Sequence, residues 1–506
     1  MNSLLRMEGI TKIYPGVVAN DGVDLEVVEG EIHALLGENG AGKTTLMNIL
    51  YGLTKPDAGQ ILWRGQPVYL HNSKQAVDLG IGMVHQHFML VPNFTALENI
   101  VLGTRTGRGP LLDLKSVTKR VRSLAEQYQL DIDFEAEVEE LPLGMRQRIE
   151  ILKALYRGAH LLILDEPTAV LTPSEVDSLF TILNNLANNG HAVILISHKL
   201  DEVLAVSHRI TVLRDGHPIA TLETASTSKD HLAQLMVGRP VVLEVERTPG
   251  RPSAERLIYL KDLALTRDHG RDQLHGITLE VFGGQVLGVA GIDGNGQRAL
   301  WEILFGLTRP SAGQVWLMGQ EIVHLSPRQV AGIQVGRIPE DRSAMGLLPT
   351  LSVSENLALA DYFREPLSRM GVLRSNQMVQ FARQLVQEYD IRTANVEVMV
   401  RNLSGGNQQK VILAREFHQN PKALIVANPT RGLDVGASEY VYERILALRE
   451  QGAAILLISS DLEEILCLSD RITVLHNGRI MGELPAEQAE RSVLGLMMTG
   501  SPLTPP

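Results

Sequence analysis

Cysteine is almost missing from this 506-residue chain, with Cys467 alone. One thiol cannot close an intramolecular disulfide, which excludes a stapled secreted scaffold and suits a reducing compartment. On a helix, it reads as a small buried apolar side chain. Long apolar runs are also missing. No stretch reaches the roughly 18 residues that a membrane-spanning helix needs, so a membrane process would require another subunit for the crossing. The N-terminal residues Met1 to Glu8 hold no apolar core of signal-peptide length. Positive charge is not in excess either: 47 Lys and Arg stand against 58 Asp and Glu, a net charge of −11. That balance argues against a general nucleic-acid binder, which carries a basic surplus.

What is present reads as a soluble globular protein, 44% hydrophobic and 21% charged with mean hydropathy +0.02. Its length exceeds one ordinary core, so two or more domains are expected. The chain also repeats itself. Gly30-Glu31-Ile32-His33-Ala34-Leu35-Leu36-Gly37 returns as Gly284-Gln285-Val286-Leu287-Gly288-Val289-Ala290-Gly291, and Gly59-Gln60-Ile61 as Gly313-Gln314-Val315, both 254 positions on (284 − 30, 313 − 59). Leu141 and Leu403 are 262 apart, so an insertion of eight is expected in the second copy, around Asp361 to Gly371. A repeat of this length means two domains, expected over 1–240 and 256–506. Between them, 241–255 is a linker in a segment that holds Pro240, Pro249, Gly250 and Pro252.

Each copy carries an α/β pattern. Runs such as Leu161 to Leu164 and Ala192 to Ile196 lack alternation, as strands buried on both faces do. An amphipathic helix is expected over Ser174 to Asn185, entered through Thr172 and Pro173.

Chemistry gathers first at Gly37-Glu38-Asn39-Gly40-Ala41-Gly42-Lys43-Thr44, which fits G-x-x-x-x-G-K-[ST] between an apolar strand and a helix opening at Thr45. Glycines let backbone N–H groups turn toward phosphate, and the helix N-terminus favours negative charge. Lys43 would place a charge between the β- and γ-phosphates of ATP, and the Thr44 hydroxyl would ligate Mg²⁺. Asp165 and Glu166 end the strand Leu161 to Leu164, the first suited to hold the metal and the second to polarise water as general base. His198 ends the next apolar strand, where a γ-phosphate contact is needed. Gln86 ends Gly82-Met83-Val84-His85-Gln86, within reach of metal or water; His85 and His87 read as structural. Tyr14 precedes the first strand hairpin, and either stacks on adenine or is a surface tyrosine.

With Leu403-Ser404-Gly405-Gly406-Asn407-Gln408-Gln409 added, the set resembles the ATPases of ABC transporters. The resemblance covers nearly the whole chain. It implies two nucleotide-binding domains, each a mainly parallel sheet core with an antiparallel β subdomain and a helical subdomain. It further implies that the domains form an intramolecular pseudo-dimer, head to tail. Each ATP would then lie between the phosphate loop of one domain and the signature of the other.

The copies depart from the family pattern in opposite ways. The second loop, Gly291-Ile292-Asp293-Gly294-Asn295-Gly296-Gln297-Arg298, has Gln297 for Lys43 and Arg298 for Thr44. Ala427 and Asn428 replace Asp165 and Glu166, Ser460 replaces His198, Glu340 replaces Gln86, and Asp268 falls where Tyr14 would be. Hydrolysis there is not expected; Arg298 could partly offset the lost lysine and leave weak or Mg²⁺-independent binding. The first signature is Leu141-Pro142-Leu143-Gly144-Met145-Arg146-Gln147, without the serine or the first glycine. Across a head-to-tail pair, Lys43, Thr44, Asp165, Glu166 and His198 would meet Ser404, Gly405, Gly406 and Asn407. One site is competent, and the other is degenerate.

Fused double ATPases of this kind resemble the ribose/galactose importers of bacteria and their purine-nucleoside relatives. Gly82 to Pro92 and Gln147 to Ala159 lean to the nucleoside branch, while Gly336-Arg337-Ile338-Pro339-Glu340-Asp341-Arg342 belongs to both. The resemblance implies two transmembrane permease subunits and a periplasmic or lipoprotein solute receptor. It places the chain peripherally on the cytoplasmic face of the bacterial inner membrane, with no nucleic-acid partner. The rivals are a soluble tandem ABC protein acting on ribosomes or DNA, which needs both sites and a long charged linker, and a scaffold without turnover.

Overall fold

The computed structural model describes residues 3–15, 17–85, 88–104, 114–168, 171, 173–239, 250–266 and 273–501. The chain divides into two compact units, Met1–Val241 and Val242–Pro506.

In the N-terminal unit a six-stranded sheet runs in the order His217–Glu223, Arg209–Arg214, Ile32–Gly37, Ala192–Ser197, Leu161–Asp165, Ile81–Val84. All neighbours are parallel except the edge strand His217–Glu223. The absence of alternation in these strands has a physical source. Leu35, Ile163 and Ile194 pack toward a four-stranded antiparallel sheet built on Ser3–Tyr14, beside Leu5, Val23 and Trp63. Ile32, Leu162 and Leu195 face the other way, toward helices carrying Ile149 and Leu183. Both faces are dry, and each fully buried aliphatic side chain contributes about 1.5–3 kcal/mol.

The C-terminal unit repeats the plan. Its parallel strands run in the order Val335–Ile338, Ala423–Ala427, Ala454–Ser459, Gln285–Ala290, Arg471–His476, with Arg479–Pro485 antiparallel at the edge. An antiparallel sheet of Leu274–Phe282, Arg256–Leu265, Ala312–Leu317 and Gln320–Glu321 covers one face. Both units enter a short helix through a complete capping box, Thr95 with Glu98 and Ser352 with Glu355. Such a cap is worth about 1 kcal/mol. Among the described residues, no helix is long and apolar enough to cross a membrane.

Three expectations change. The eight extra residues are not one insertion around Asp361 to Gly371. Ile81–Val84 and Val335–Ile338 still stand 254 apart (335 − 81), but Thr95 and Ser352 stand 257 apart (352 − 95). The helices Leu114–Gln127 and Ser375–Glu388 begin 261 apart (375 − 114), and the turns Val138–Glu140 and Val400–Asn402 lie 262 apart (400 − 138). Three residues enter with the π turn Arg342–Gly346, four around the hairpin Ser368–Arg369/Val372–Leu373, and one before Val400. Connecting segments absorb insertions that strands and helices cannot.

The helix expected over Ser174 to Asn185 runs Pro173–Asn188, because Leu186 and Ala187 are buried and carry it further. Thr172, its expected cap, lies outside the described residues. Tyr14 does not precede the first hairpin but lies inside it, paired with Val17. Of the linker expected over 241–255, residues 241–249 lie outside the described residues. Gly250 donates to Asp470 and Ser253 to the carbonyl of Gly283, which fastens that end onto the C-terminal unit.

Candidate active site

Four neighbouring strand ends assemble the N-terminal site. Ile32–Gly37 delivers the glycine loop, Ala192–Ser197 delivers His198, and Leu161–Asp165 delivers the two carboxylates. Ile81–Val84 leads to His85, and Gln86 and His87 beyond it lie outside the described residues. The carboxyl ends of parallel strands are where open α/β sheets take ligands.

The loop needs glycine for space as well as conformation. Gly42 has φ +96°, and a Cβ there would stand 2.2 Å from Ala19 O and 2.5 Å from Asn20 Nδ2. Asn20 Nδ2 donates to Gly42 O at 3.2 Å, so the strand Val17–Val28 presses against the loop. Ala41 is buried, Glu38 half-buried, and Asn39, Gly40 and Thr44 exposed. Lys43 opens the helix Lys43–Leu50, with Thr44 and Thr45 in its first turn. Its side chain folds back over the loop, and Nζ donates to Gly37 O at 2.6 Å and Glu38 O at 2.9 Å. Tyr14, with Ile13, Val17 and Val18, makes an exposed apolar patch at the end of the neighbouring hairpin. Lys12 Nζ stands 5.6 Å from the Tyr14 ring centroid.

Asp165 and Glu166 sit in unlike surroundings. Burial pushes the Asp165 carboxyl above the usual range and the Glu166 charge adds to this, while Lys43 and His85 partly offset it. A buried carboxyl of this kind suits a cation. Among the described residues no three His, Cys, Asp or Glu side chains converge as a metal cage. A donor set of Thr44 hydroxyl and Asp165 carboxylate fits Mg²⁺, which keeps waters and takes one or two protein oxygens plus phosphate.

Glu166 turns the chain at φ +47° and donates its N–H to Ile196 O at 3.0 Å. His198 Nδ1 lies 2.9 Å from Glu166 Oε1. That hydrogen bond holds the Glu166 carboxyl below its usual range against the opposing effect of burial, helped by the charges of His198, Lys43 and Lys199. Glu166 therefore stays ionised, which is the form that accepts a hydrogen bond from water. His85 packs edge-on against Tyr51 at 6.1 Å, a packing role.

The C-terminal unit keeps the backbone and changes the chemistry. Gln297 opens the helix Gln297–Leu304 as Lys43 opens its own. Its Nε2 donates to Ile292 O at 2.9 Å, and its Oε1 accepts from Asn295 N at 3.1 Å. The loop's own side chain thus takes an N–H that a phosphate oxygen would use. Arg298 Nε pairs with Glu302 at 2.9 Å, one turn along the helix. Asn428 adopts the same turn as Glu166, φ +42°, and asparagine tolerates that region best among residues with a Cβ. Its Oδ1 accepts from Ser460 N at 2.9 Å, in place of the Glu166–His198 pair. Arg431 bridges Glu340 and Asp293, the latter at 3.4 Å.

The signatures differ in capping. Ser404 caps the helix Gly405–Phe417, and its hydroxyl accepts from Asn407 Nδ2 at 2.9 Å. Asn407 Oδ1 accepts from Arg392 N at 2.7 Å. Gly406 approaches Ala437 so closely that a Cβ would stand 3.1 Å from that methyl. In the N-terminal unit Pro142 precedes Leu143–Tyr156 with no side-chain cap, and Leu143 is exposed. Arg146 and Gln408, at matching positions, both reach back to the leucine carbonyl ahead of the helix.

Sequence reading missed Arg431 and Arg342. The available signal was a joint change: Glu340 and Asp293 turn acidic in the copy where Arg431 stands opposite Ala169.

Comparison with known proteins follows the same outline. The ABC transporter family matches residues 20–169 and 274–431. The nucleoside import ATP-binding protein NupA of Lactococcus lactis subsp. cremoris is 47% identical over 498 residues, 98% of each chain. The guanosine import ATP-binding protein NupO of Bacillus subtilis is 46% identical over 99% of this chain and 98% of its own. The ribose import ATP-binding protein RbsA 1 of Rubrobacter xylanophilus is 43% identical over 99% of both. Among solved structures, the archaeal ribosome recycling factor aABCE1 superposes with TM-score 0.60 at 21% identity, over 92% of this chain and 87% of that one. That likeness speaks to the fold alone.

Proposed function

The chain belongs to the ABC transporter family, and from that premise we propose that it is the ATP-hydrolysing subunit of a solute importer, with purine nucleosides as the solute. Each unit is one nucleotide-binding domain. The productive site pairs the loop of the first with the signature of the second, Lys43 and Thr44 with Ser404 to Asn407. The observation that carries this reading is the complementary loss: the unit that keeps Lys43, Asp165, Glu166 and His198 has Pro142 and Leu143 in its signature, while the unit with Gln297, Ala427 and Asn428 keeps Ser404, Gly405 and Gly406.

In this reading the loop N–H groups and Lys43 bind and orient the triphosphate. Tyr14 offers its exposed ring to the base. Thr44, Asp165 and Gln86 would hold Mg²⁺, which neutralises charge on the phosphate oxygens. Glu166, ionised and fixed by His198, orients the attacking water and takes up its proton. Proton removal and fixed orientation of this kind contribute roughly 10²–10⁴ in rate. Preferential binding of ATP to the closed pair shifts a transporter toward one state, and hydrolysis releases it.

The partners that follow are two permease subunits and an extracytoplasmic solute receptor, with this chain docked peripherally at the cytoplasmic face of the membrane. The nucleoside assignment is supported by the two import proteins at 46% and 47% identity. A monosaccharide solute is the second reading, favoured by the ribose import protein at 43%. Uptake of labelled guanosine, adenosine and ribose by the reconstituted complex decides between them. ATP-dependent nucleoside uptake is expected, and uptake of ribose alone would overturn the nucleoside assignment.

A further inference from the structure

In the C-terminal unit the segment after Glu340 is fastened at two points, one on the signature helix and one on the loop after Asn428. The π turn Arg342–Gly346 begins at Asp341, whose carboxylate accepts from Ser343 N and Ala344 N, both at 2.9 Å. At its far end Gly346 O accepts from Arg415 Nη1 at 2.8 Å, and Arg415 projects from the helix Gly405–Phe417. At its near end Arg342 forks. Nη1 donates to Arg431 O at 2.9 Å and Nη2 to Gly432 O at 3.3 Å. The same Nη2 lies against Gly405, where a Cβ would stand 3.0 Å from it. One guanidinium therefore touches the start of the signature helix and the loop after Asn428, while its own backbone belongs to the segment after Glu340. Removal from water depresses its pKa, opposed by Asp341, and it remains charged.

Among the described residues of the N-terminal unit, the far attachment has a counterpart. Met89 N donates to Glu150 at 2.7 Å and Met89 O accepts from Lys153 at 3.0 Å. Lys153 occupies the position of Arg415 (415 − 153 = 262), and Phe88 stands where an offset of 254 would put Arg342 (342 − 88). Among the described residues, the forked contact occurs in the unit whose signature keeps its serine and glycines.

We propose that Arg342 is a positioning residue for ATP hydrolysis: it ties the segment after Glu340 to the carbonyls of Arg431 and Gly432 and fills the space beside Gly405, so that the Ser404–Gly406 cap is held in one place. This rests on the reading that the C-terminal signature caps the ATP held by Lys43. Planar guanidinium geometry is what the site uses, since one lysine ammonium cannot serve two carbonyls and a glycine face in that plane.

The test uses the full transporter in lipid, with Arg342→Ala, Arg342→Lys and Ser404→Ala measured side by side. For Arg342→Ala we expect kcat for ATP to fall about tenfold while KM changes less than about twofold, because the triphosphate is bound by the other unit. For Arg342→Lys, which keeps stem and charge, we expect kcat about threefold down. The thermal unfolding transition of each variant is followed beside its rate. If Arg342→Ala fails to fold, Arg342→Lys decides. A kcat equal to wild type in the folded variant, with Ser404→Ala strongly impaired, overturns the role of Arg342 alone. A rise in KM with unchanged kcat overturns it as well. A wild-type rate in Ser404→Ala overturns the cross-domain reading beneath it.

Discussion

Lys43 and Gln297 stand at the same point of two loops with the same glycine frame, and both reach back to a loop carbonyl. Lys43 Nζ satisfies Gly37 O and Glu38 O with an ammonium that carries a full charge. Gln297 donates to Ile292 O as well, yet its other end accepts the N–H of Asn295. The comparison separates two requirements that a phosphate loop usually meets together. Holding the loop's shape needs a donor at that position, and either side chain supplies one. Attracting a triphosphate needs net positive charge and free N–H groups, and the second loop has neither at Gln297 and Asn295. The same division recurs at the strand ends. Glu166 and Asn428 both turn the chain at positive φ, and each takes a hydrogen bond from the segment after the next strand. Shape is retained where the charged groups, Lys43 and Glu166, are replaced by the uncharged Gln297 and Asn428.

The comparison can be broken most sharply at the base. Glu166→Gln gives the first unit an uncharged acceptor like Asn428, and steady-state ATPase is expected to fall by about 10²–10⁴. Turnover near wild type would show that the carboxylate is not the group in use.

A second contrast lies deeper. Glu202 pairs with Lys199 at 3.0 Å, but Asp461 occupies the position of that lysine beside Glu464. Burial pushes Glu464 up to about 7, although Ser459 and Thr430 donate to it. The folded C-terminal unit therefore holds a proton that the unfolded chain releases. Its contribution to stability is present in full below the unfolded value of 4.5 and is lost as pH rises toward 7, by roughly 3 kcal/mol. Urea unfolding of the C-terminal unit from pH 4.5 to 8 is expected to show that decline, and Glu464→Gln to flatten it.

Replacing His198 with alanine is expected to cost about tenfold in kcat, the value of one charge-assisted hydrogen bond. It also frees the Glu166 carboxyl to rise toward its ordinary range. The acid limb of the pH–rate profile should then move to higher pH, and an unmoved limb would remove His198 from that role. The smallest effect is expected at the deficient cap. Pro142→Ser restores a hydroxyl ahead of Leu143–Tyr156, which should stabilise the N-terminal unit by about 1 kcal/mol in thermal unfolding. ATPase should stay within about twofold, because Gln297 and Asn428 still leave the second loop without chemistry.

Much of this was legible from residues alone because the determinants are local. Unbroken apolar runs mark strands buried on both faces, and Gly42-Lys43-Thr44 sits in its strand–loop–helix frame within a dozen residues. The Asp165–Glu166 pair and His198 end successive runs, so the topology brings them together without further information. Arg342 and Arg431 escaped because their meaning lies in approach between segments about 90 positions apart. The placing of the insertion failed for a related reason. A shift of eight fixes a total, while its division among a π turn, a hairpin and a single residue depends on which connections the packed core leaves free. Tyr14, expected ahead of the first hairpin, instead pairs with Val17 inside it, a matter of strand register that residue types near the turn do not fix.

With a single productive site, turnover depends on the first loop and not on the second. Steady-state ATPase of the full transporter with Lys43→Ala, set beside the same complex with Gln297→Ala, measures that directly. The first should drop to background and the second should remain within about twofold of wild type. Comparable losses in both, or sustained hydrolysis with Lys43→Ala, would contradict a single productive site.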